Sequence, residues 1–189
     1  LQVNQGVIVA ANSAALGAGS NTVAIAGGVN SAFQLQGGIT LTQNFNLSTA
    51  GNVLWGGIQN TGHLSNASGT NTITGVVNIN NDSSIGSVAG NLILAGGVDL
   101  PASKRLQIGG SGDIIMPGLK ADQAEITIGG RGDVTFASDG TVEANIGGAG
   151  DVKVAGNAKC TVNAMGSGTL TCTPTGRPST PMRFPEKKE

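Results

Sequence analysis

Three copies of one short phrase hold the acidic side chains best placed to do chemistry. Ile108-Gly109-Gly110-Ser111-Gly112-Asp113-Ile114 recurs as Ile128-Gly129-Gly130-Arg131-Gly132-Asp133-Val134 and again as Ile146-Gly147-Gly148-Ala149-Gly150-Asp151-Val152. Gly-rich turns that end in Asp invite a calcium reading, which makes Asp113, Asp133 and Asp151 weak candidate metal ligands. Calcium takes six to eight oxygens, and one Asp per copy supplies too few. The competing expectation is structural: each carboxylate accepts backbone N–H bonds within its own turn, while Gly supplies positive φ. Arg131-Gly132-Asp133 also spells an integrin-type tripeptide. Ser111 and Ala149 fill the Arg position in the sister copies, so the repeat already accounts for the Gly and the Asp.

His63 is the only His in the chain, and residues 1–98 contain one acid, Asp82. A His-based metal site or a Ser-His-Asp triad needs partners that this segment lacks, so a surface or hydrogen-bonded His is expected. Polysaccharide-cleaving β-helices usually work with clustered carboxylates or a carboxylate plus a base. Here the acids are spread along the repeats, and no catalytic residue, cofactor or enzyme activity is assigned. Trp55, Phe33 and Phe45 are too sparse for a sugar-stacking platform and read as core. Cys160 and Cys172 fall in inward positions of one rung: a possible disulfide in an oxidising compartment, or two buried thiols.

The elements that position these residues follow from composition and period. The 189 residues carry a formal net charge of −1, with 11% charged and 39% hydrophobic residues, 32 Gly and 17 Asn. That apolar share excludes disorder, the irregular Gly spacing excludes collagen, and the absent basic excess argues against nucleic acid. No run of about 18 apolar residues offers a membrane-spanning helix. The chain starts at Leu1 with no secretion signal, as a mature product or an excised fragment would. Gly, Asn, Thr, Val and Ile dominate the first half, where short alternating segments such as Val23-Ala24-Ile25 and Leu92-Ile93-Leu94 lie between turn residues. This is an all-β pattern.

The repeat then selects the architecture. Its copies open at Ile108, Ile128 and Ile146, and a worn fourth, Ala164-Met165-Gly166-Ser167-Gly168-Thr169-Leu170, keeps nearly the same step. Aligned this way, Ile114, Val134, Val152 and Leu170 form one inward column, and Met116, Phe136, Val154 and Cys172 another. Ile115, Thr135, Lys153 and Thr171 point outward between them. Ala124, Val142 and Cys160, with Ile126, Ala144 and Val162, line the opposite wall, and Glu125, Glu143 and Thr161 face solvent. Alternation within a rung and like-on-like stacking between rungs specify a parallel β-helix (β-solenoid) with rungs of about 18–20 residues. Some nine rungs would make a rod about 45 Å long.

Three segments are expected: an Asn/Gly-rich β-helix over 1–100, a β-helix with Gly-x-Gly-Asp turns over 101–174, and a Pro-rich charged tail over 175–189. Pro174, Pro178, Pro181 and Pro185 space the end of the chain, which reads as an extended tail. Leu1-Gln2-Val3 already reads as strand without a polar cap, so something upstream has been removed or something else stacks there.

Residues 105–174, through the three Gly-x-Gly-Asp copies, resemble the head-GIN domain, an autotransporter-adhesin family. The likeness departs in the last turn, where Thr169 replaces Asp. Residues 1–98 are similar to passenger-type β-strand repeats of autotransporters in Ala15-Leu16-Gly17, Ser68-Gly69-Thr70-Asn71-Thr72, Asp82-Ser83-Ser84-Ile85-Gly86 and Asn91-Leu92-Ile93-Leu94-Ala95-Gly96-Gly97. These resemblances imply a non-catalytic extracellular or cell-surface solenoid, in a bacterium with an outer membrane, acting as adhesin or scaffold. A surface glycan or a protein is the expected ligand. Two further readings stand beside it: a subunit of an extracellular filament associating end to end, and a polysaccharide-active β-helix.

Overall fold

The computed structural model describes residues 1–173 except 20, 29, 50–61, 102–103, 122 and 129, with the backbone alone at 120, 121 and 123. The expectations placed on Trp55, Gly129 and the tail from Pro174 onward lie outside the described residues.

Each turn of the chain lays strands one above another. The first holds β1 (Gln2–Val3) and β2 (Gly6–Ala10), the second β3 (Thr22–Ile25), β4 (Ser31–Gln36) and β5 (Thr40–Leu41). The third holds β6 (Asn44–Leu47), β7 (Leu64–Ser68) and β8 (Thr70–Ile73), and the fourth β9 (Val77–Ile79), β10 (Ser83–Ser87) and β11 (Asn91–Leu94). Then come β12 (Val98–Leu100), β13 (Leu106–Gly110) and β14 (Asp113–Met116), followed by β15 (Leu119–Ala121), β16 (Gln123–Ile128) and β17 (Val134–Ala137). Two strands build each later turn: β18 (Thr141–Ile146) with β19 (Val152–Ala155), and β20 (Lys159–Ala164) with β21 (Leu170–Thr173).

Like strands of successive turns pair in parallel and make three sheets. The six-stranded sheet runs β1-β3-β6-β9-β12-β15, the eight-stranded sheet β2-β4-β7-β10-β13-β16-β18-β20, and the seven-stranded sheet β5-β8-β11-β14-β17-β19-β21. The fold is a parallel β-solenoid of about seven turns. The columns read from the repeat are its register: Ile114 lies beside Val134, Val134 beside Val152, and Val152 beside Leu170. On the opposite wall Ala124 stacks on Val142 and Val142 on Cys160.

Over the described residues the rod is shorter than expected. Seven steps of about 4.8 Å give about 34 Å, because turns in the first half take more chain than the later ones. The register partners Phe33 and Leu64 lie further apart in sequence than Ile85 and Ile108, and these further than Val134 and Val152. The period shortens where the cross-section changes. Through β15 each complete turn has three sides; beyond it the six-stranded sheet ends, and Ser138-Asp139-Gly140 alone joins β17 to β18. With one side dropped, a shorter length of chain closes a turn.

A continuous apolar interior runs from Val3 to Val154. Phe33 and Phe45, both fully buried, meet edge to face at 5.2 Å, and Phe136 fills the later turns. Each such buried side chain contributes about 1.5–3 kcal/mol. The three sheets cross the change in composition at Asp99 without a break: β10 pairs with β13, β11 with β14, and β12 with β15.

Candidate functional site

The Gly-Gly-x-Gly-Asp phrase forms the corner between the eight-stranded and seven-stranded sheets, where β13 passes to β14, β16 to β17 and β18 to β19. Stacking decides its chemistry. A Cβ on Gly130 would strike the carbonyl oxygen of Gly110, one on Gly148 that of Gly130, and one on Gly166 that of Gly148, all far below 3.0 Å. Gly132, Gly150 and Gly168 stand in the same relation to Gly112, Gly132 and Gly150. Within each of these two columns, bare backbone packs directly on the bare backbone of the turn below. The expectation that these glycines serve positive φ is corrected: Gly110 has φ 118°, while Gly112, Gly130, Gly132, Gly148, Gly150, Gly166 and Gly168 lie outside the left-handed region. They are glycine because the next turn leaves no room for a side chain.

The Asp column is corrected in the same way. Asp113 Oδ1 accepts the backbone N–H of Asp133 at 3.1 Å, and Asp133 Oδ1 accepts that of Asp151 at 2.9 Å. Asp151 Oδ1 takes both the N–H and the hydroxyl of Thr169, at 3.0 and 2.8 Å. Each carboxylate therefore caps the turn above it rather than its own. The bond is charge-assisted and stronger than a neutral one. Thr169, where the repeat loses its Asp, ends the ladder as a donor. Among the described residues no group of three or more His, Cys, Asp or Glu converges in a way that could hold a metal. Arg131 is exposed, but Gly132 is buried under this packing, and Asp133 Oδ1 is already engaged by the Asp151 N–H.

In earlier turns the same corner is built from amides and hydroxyls, which the repeat did not reveal. Asn66 and Asn71 are fully buried. Asn71 Nδ2 donates to Asn66 Oδ1 and to the Ser68 carbonyl, and its Oδ1 accepts the N–H groups of Gly38 and Ile39. Asn66 Nδ2 donates to the Gly69 and Ala89 carbonyls and to Ser87 Oγ. Asn66, Ser87 and Gly110 share one column. The steps from Asn66 to Ser87 and from Ser87 to Gly110 are unequal, which hides that column in the sequence. On the outer face of the six-stranded sheet, Asn78 Nδ2 donates to Asn46 Oδ1 at 2.8 Å, a shorter ladder of the same kind.

Two ionisable groups of the first half are placed by their neighbours. Asp82 is buried and takes Arg105 from three directions: its Oδ2 accepts from Nε and pairs with Nη2, each at 3.0 Å, and its Oδ1 accepts the Arg105 N–H. This pair ties the fourth turn to the fifth where charge enters the chain. His63 was expected at the surface or fully hydrogen-bonded and is neither. It is 0% exposed; Nδ1 faces the Ser84 hydroxyl at 2.9 Å and the Ser84 N–H at 3.2 Å, and Nε2 has no partner among the described residues. The Ser84 N–H fixes Nδ1 as acceptor, so Nε2 carries the proton. Burial pushes the imidazole down to about 4.

Cys160 on β20 and Cys172 on β21 are joined by a disulfide, with Cα atoms 6.6 Å apart. It bridges the two remaining sheets within the last turn.

Compared with known proteins, residues 65–158 match the family model described as "Putative auto-transporter adhesin, head GIN domain". The match starts at 65 rather than 105 and stops at 158 rather than 174, so it takes in the Asn-cornered turns as well as the Gly-Asp ones. The likeness of residues 1–98 to passenger-type repeats gains no support from it upstream of residue 65. No curated protein matches, and no solved structure matches.

Proposed function

We propose that this chain is a non-catalytic, cell-surface β-solenoid of a bacterium with an outer membrane, acting as an adhesin or as a scaffold that presents one. The observation that carries this reading is the engagement of the repeat's own polar atoms. The carboxylates of Asp113, Asp133 and Asp151 are spent on holding one turn to the next, so the most chemically suggestive motif is construction. The adhesin-family match over residues 65–158 supports the same reading. A surface glycan or a protein is the ligand class, met by outward polar positions such as Thr135, Lys153 and Thr171, which are exposed.

The test has two arms. Beads coated with the purified chain should adhere to cell-surface glycans or matrix proteins above uncoated beads, and adhesion equal to the uncoated control counts against the proposal. Incubation with polysaccharides, esters and peptides should give no turnover. Reproducible hydrolysis abolished by one acidic substitution would move the chain to the polysaccharide-active reading.

A filament subunit is the second reading, favoured by apolar side chains exposed on the first and last described turns: Val9 is 48% exposed on β2 and Met165 94% exposed after β20. Such a contact repeats without closing. Negative-stain microscopy separates the readings, since monomers persisting at high concentration reject the filament.

A further inference from the structure

The last described turn is less covered than the turn beneath it. Each inward position loses cover on passing from β18–β19 to β20–β21. Val142 and Ala144 are buried, whereas Cys160 and Val162 above them are half-buried; Val152 and Val154 are buried, whereas Leu170 and Cys172 are half-buried. A strand inside the stack has neighbours on both sides, but among the described residues β20 and β21 have one neighbour each. The six-stranded sheet, which braces the earlier turns, does not reach them. By packing alone this turn should be the first to open.

The disulfide sits at this weak point. Cys160 belongs to the eight-stranded sheet and Cys172 to the seven-stranded one, 12 residues apart in sequence. Both occupy columns that hold Val142 and Val154 one turn below. The bond therefore links the two walls covalently at the last described turn. We propose that Cys160–Cys172 is a redox-sensitive latch: closed, it holds β20 and β21 stacked; open, it lets this turn alone detach and leaves β18 and β19 as the new edges. Opening is a two-electron reduction by a dithiol. The S–S bond breaks, two S–H bonds form with protons from the reductant, and the reductant leaves as its own disulfide. The latch depends on the surface reading only for oxidising surroundings in which the bond persists.

Amide hydrogen exchange on the full chain, with and without dithiol, tests the latch. Closing a loop of this size restrains opening by about a hundredfold, so amides of Lys159–Ala164 and Leu170–Thr173 should exchange about a hundredfold faster after reduction. Those of β10, β11, β13 and β14 should keep their rates, and reoxidation should restore the slow pattern. A Cys160→Ser, Cys172→Ser double variant should match the reduced protein without reductant. The latch is overturned if the terminal amides keep their protection on reduction, if protection falls throughout the rod together, or if the air-oxidised protein has the mass of two free thiols. Bead adhesion by the double-serine variant keeps the tests separate: normal adhesion with unchanged exchange rejects the latch and leaves the surface function standing.

Discussion

Acid should destabilise this protein through His63 in a window set by two numbers. The imidazole has an ordinary value of 6.5 and is held at about 4 in the folded chain because burial disfavours its charged form. Above 6.5 both folded and unfolded chains carry it neutral, and it contributes no pH dependence. As pH falls below 6.5 the unfolded chain takes up a proton that the folded chain refuses, so stability declines until pH nears 4 and then levels. At about pH 5 the difference in proton uptake amounts to about 2 kcal/mol lost relative to neutral pH, and at the acid limit to about 3 kcal/mol. Other groups titrate in the same range, so the measurement is a comparison. His63→Asn keeps an acceptor near the position of Nδ1 for the Ser84 N–H and removes the titrating ring. Urea unfolding of both proteins at about pH 7.5 and about pH 5 should show the native chain losing about 2 kcal/mol more than the variant. Equal losses would mean that His63 is protonated or hydrated in the folded chain and would refute its burial as a neutral ring.

The remaining predictions concern the stack itself. Val152→Asp places an unpaired charge between Val134 and Leu170 and should cost several kcal/mol, abolishing a cooperative melt of the later turns. Thr135→Asp, on the exposed outer face, should stay within about 0.5 kcal/mol, and equal melting temperatures would show the register to be wrong. Asp133→Ala strands the Asp151 N–H without its acceptor and should cost about 1–3 kcal/mol, whereas Asp133→Asn, which retains an oxygen there, should recover most of the loss by chemical denaturation. Gly130→Ala drives a methyl into the Gly110 carbonyl and should cost about 3 kcal/mol, the upper end for overpacking, because backbone rather than a side chain must yield. Ala149→Ser, at the variable position of the same corner, should leave the thermal midpoint within about a degree or two.

By itself the sequence determined the architecture wherever its period was regular. Near-equal steps put Ile114, Val134, Val152 and Leu170 in line, because stacked turns must present like side chains to one interior. It could not reveal columns where the steps lengthen unevenly, as from Phe33 to Leu64 and from Ile85 to Ile108. The Asn66–Asn71 corner, the burial of His63 and the length of the rod were therefore visible only in space. The direction of the Asp hydrogen bonds was also a tertiary decision. A carboxylate reaching its own turn and one reaching the next read identically along the chain, and only a neighbouring backbone one strand spacing away decides between them. The same closeness turns glycine from a residue of unusual φ into the only side chain that fits.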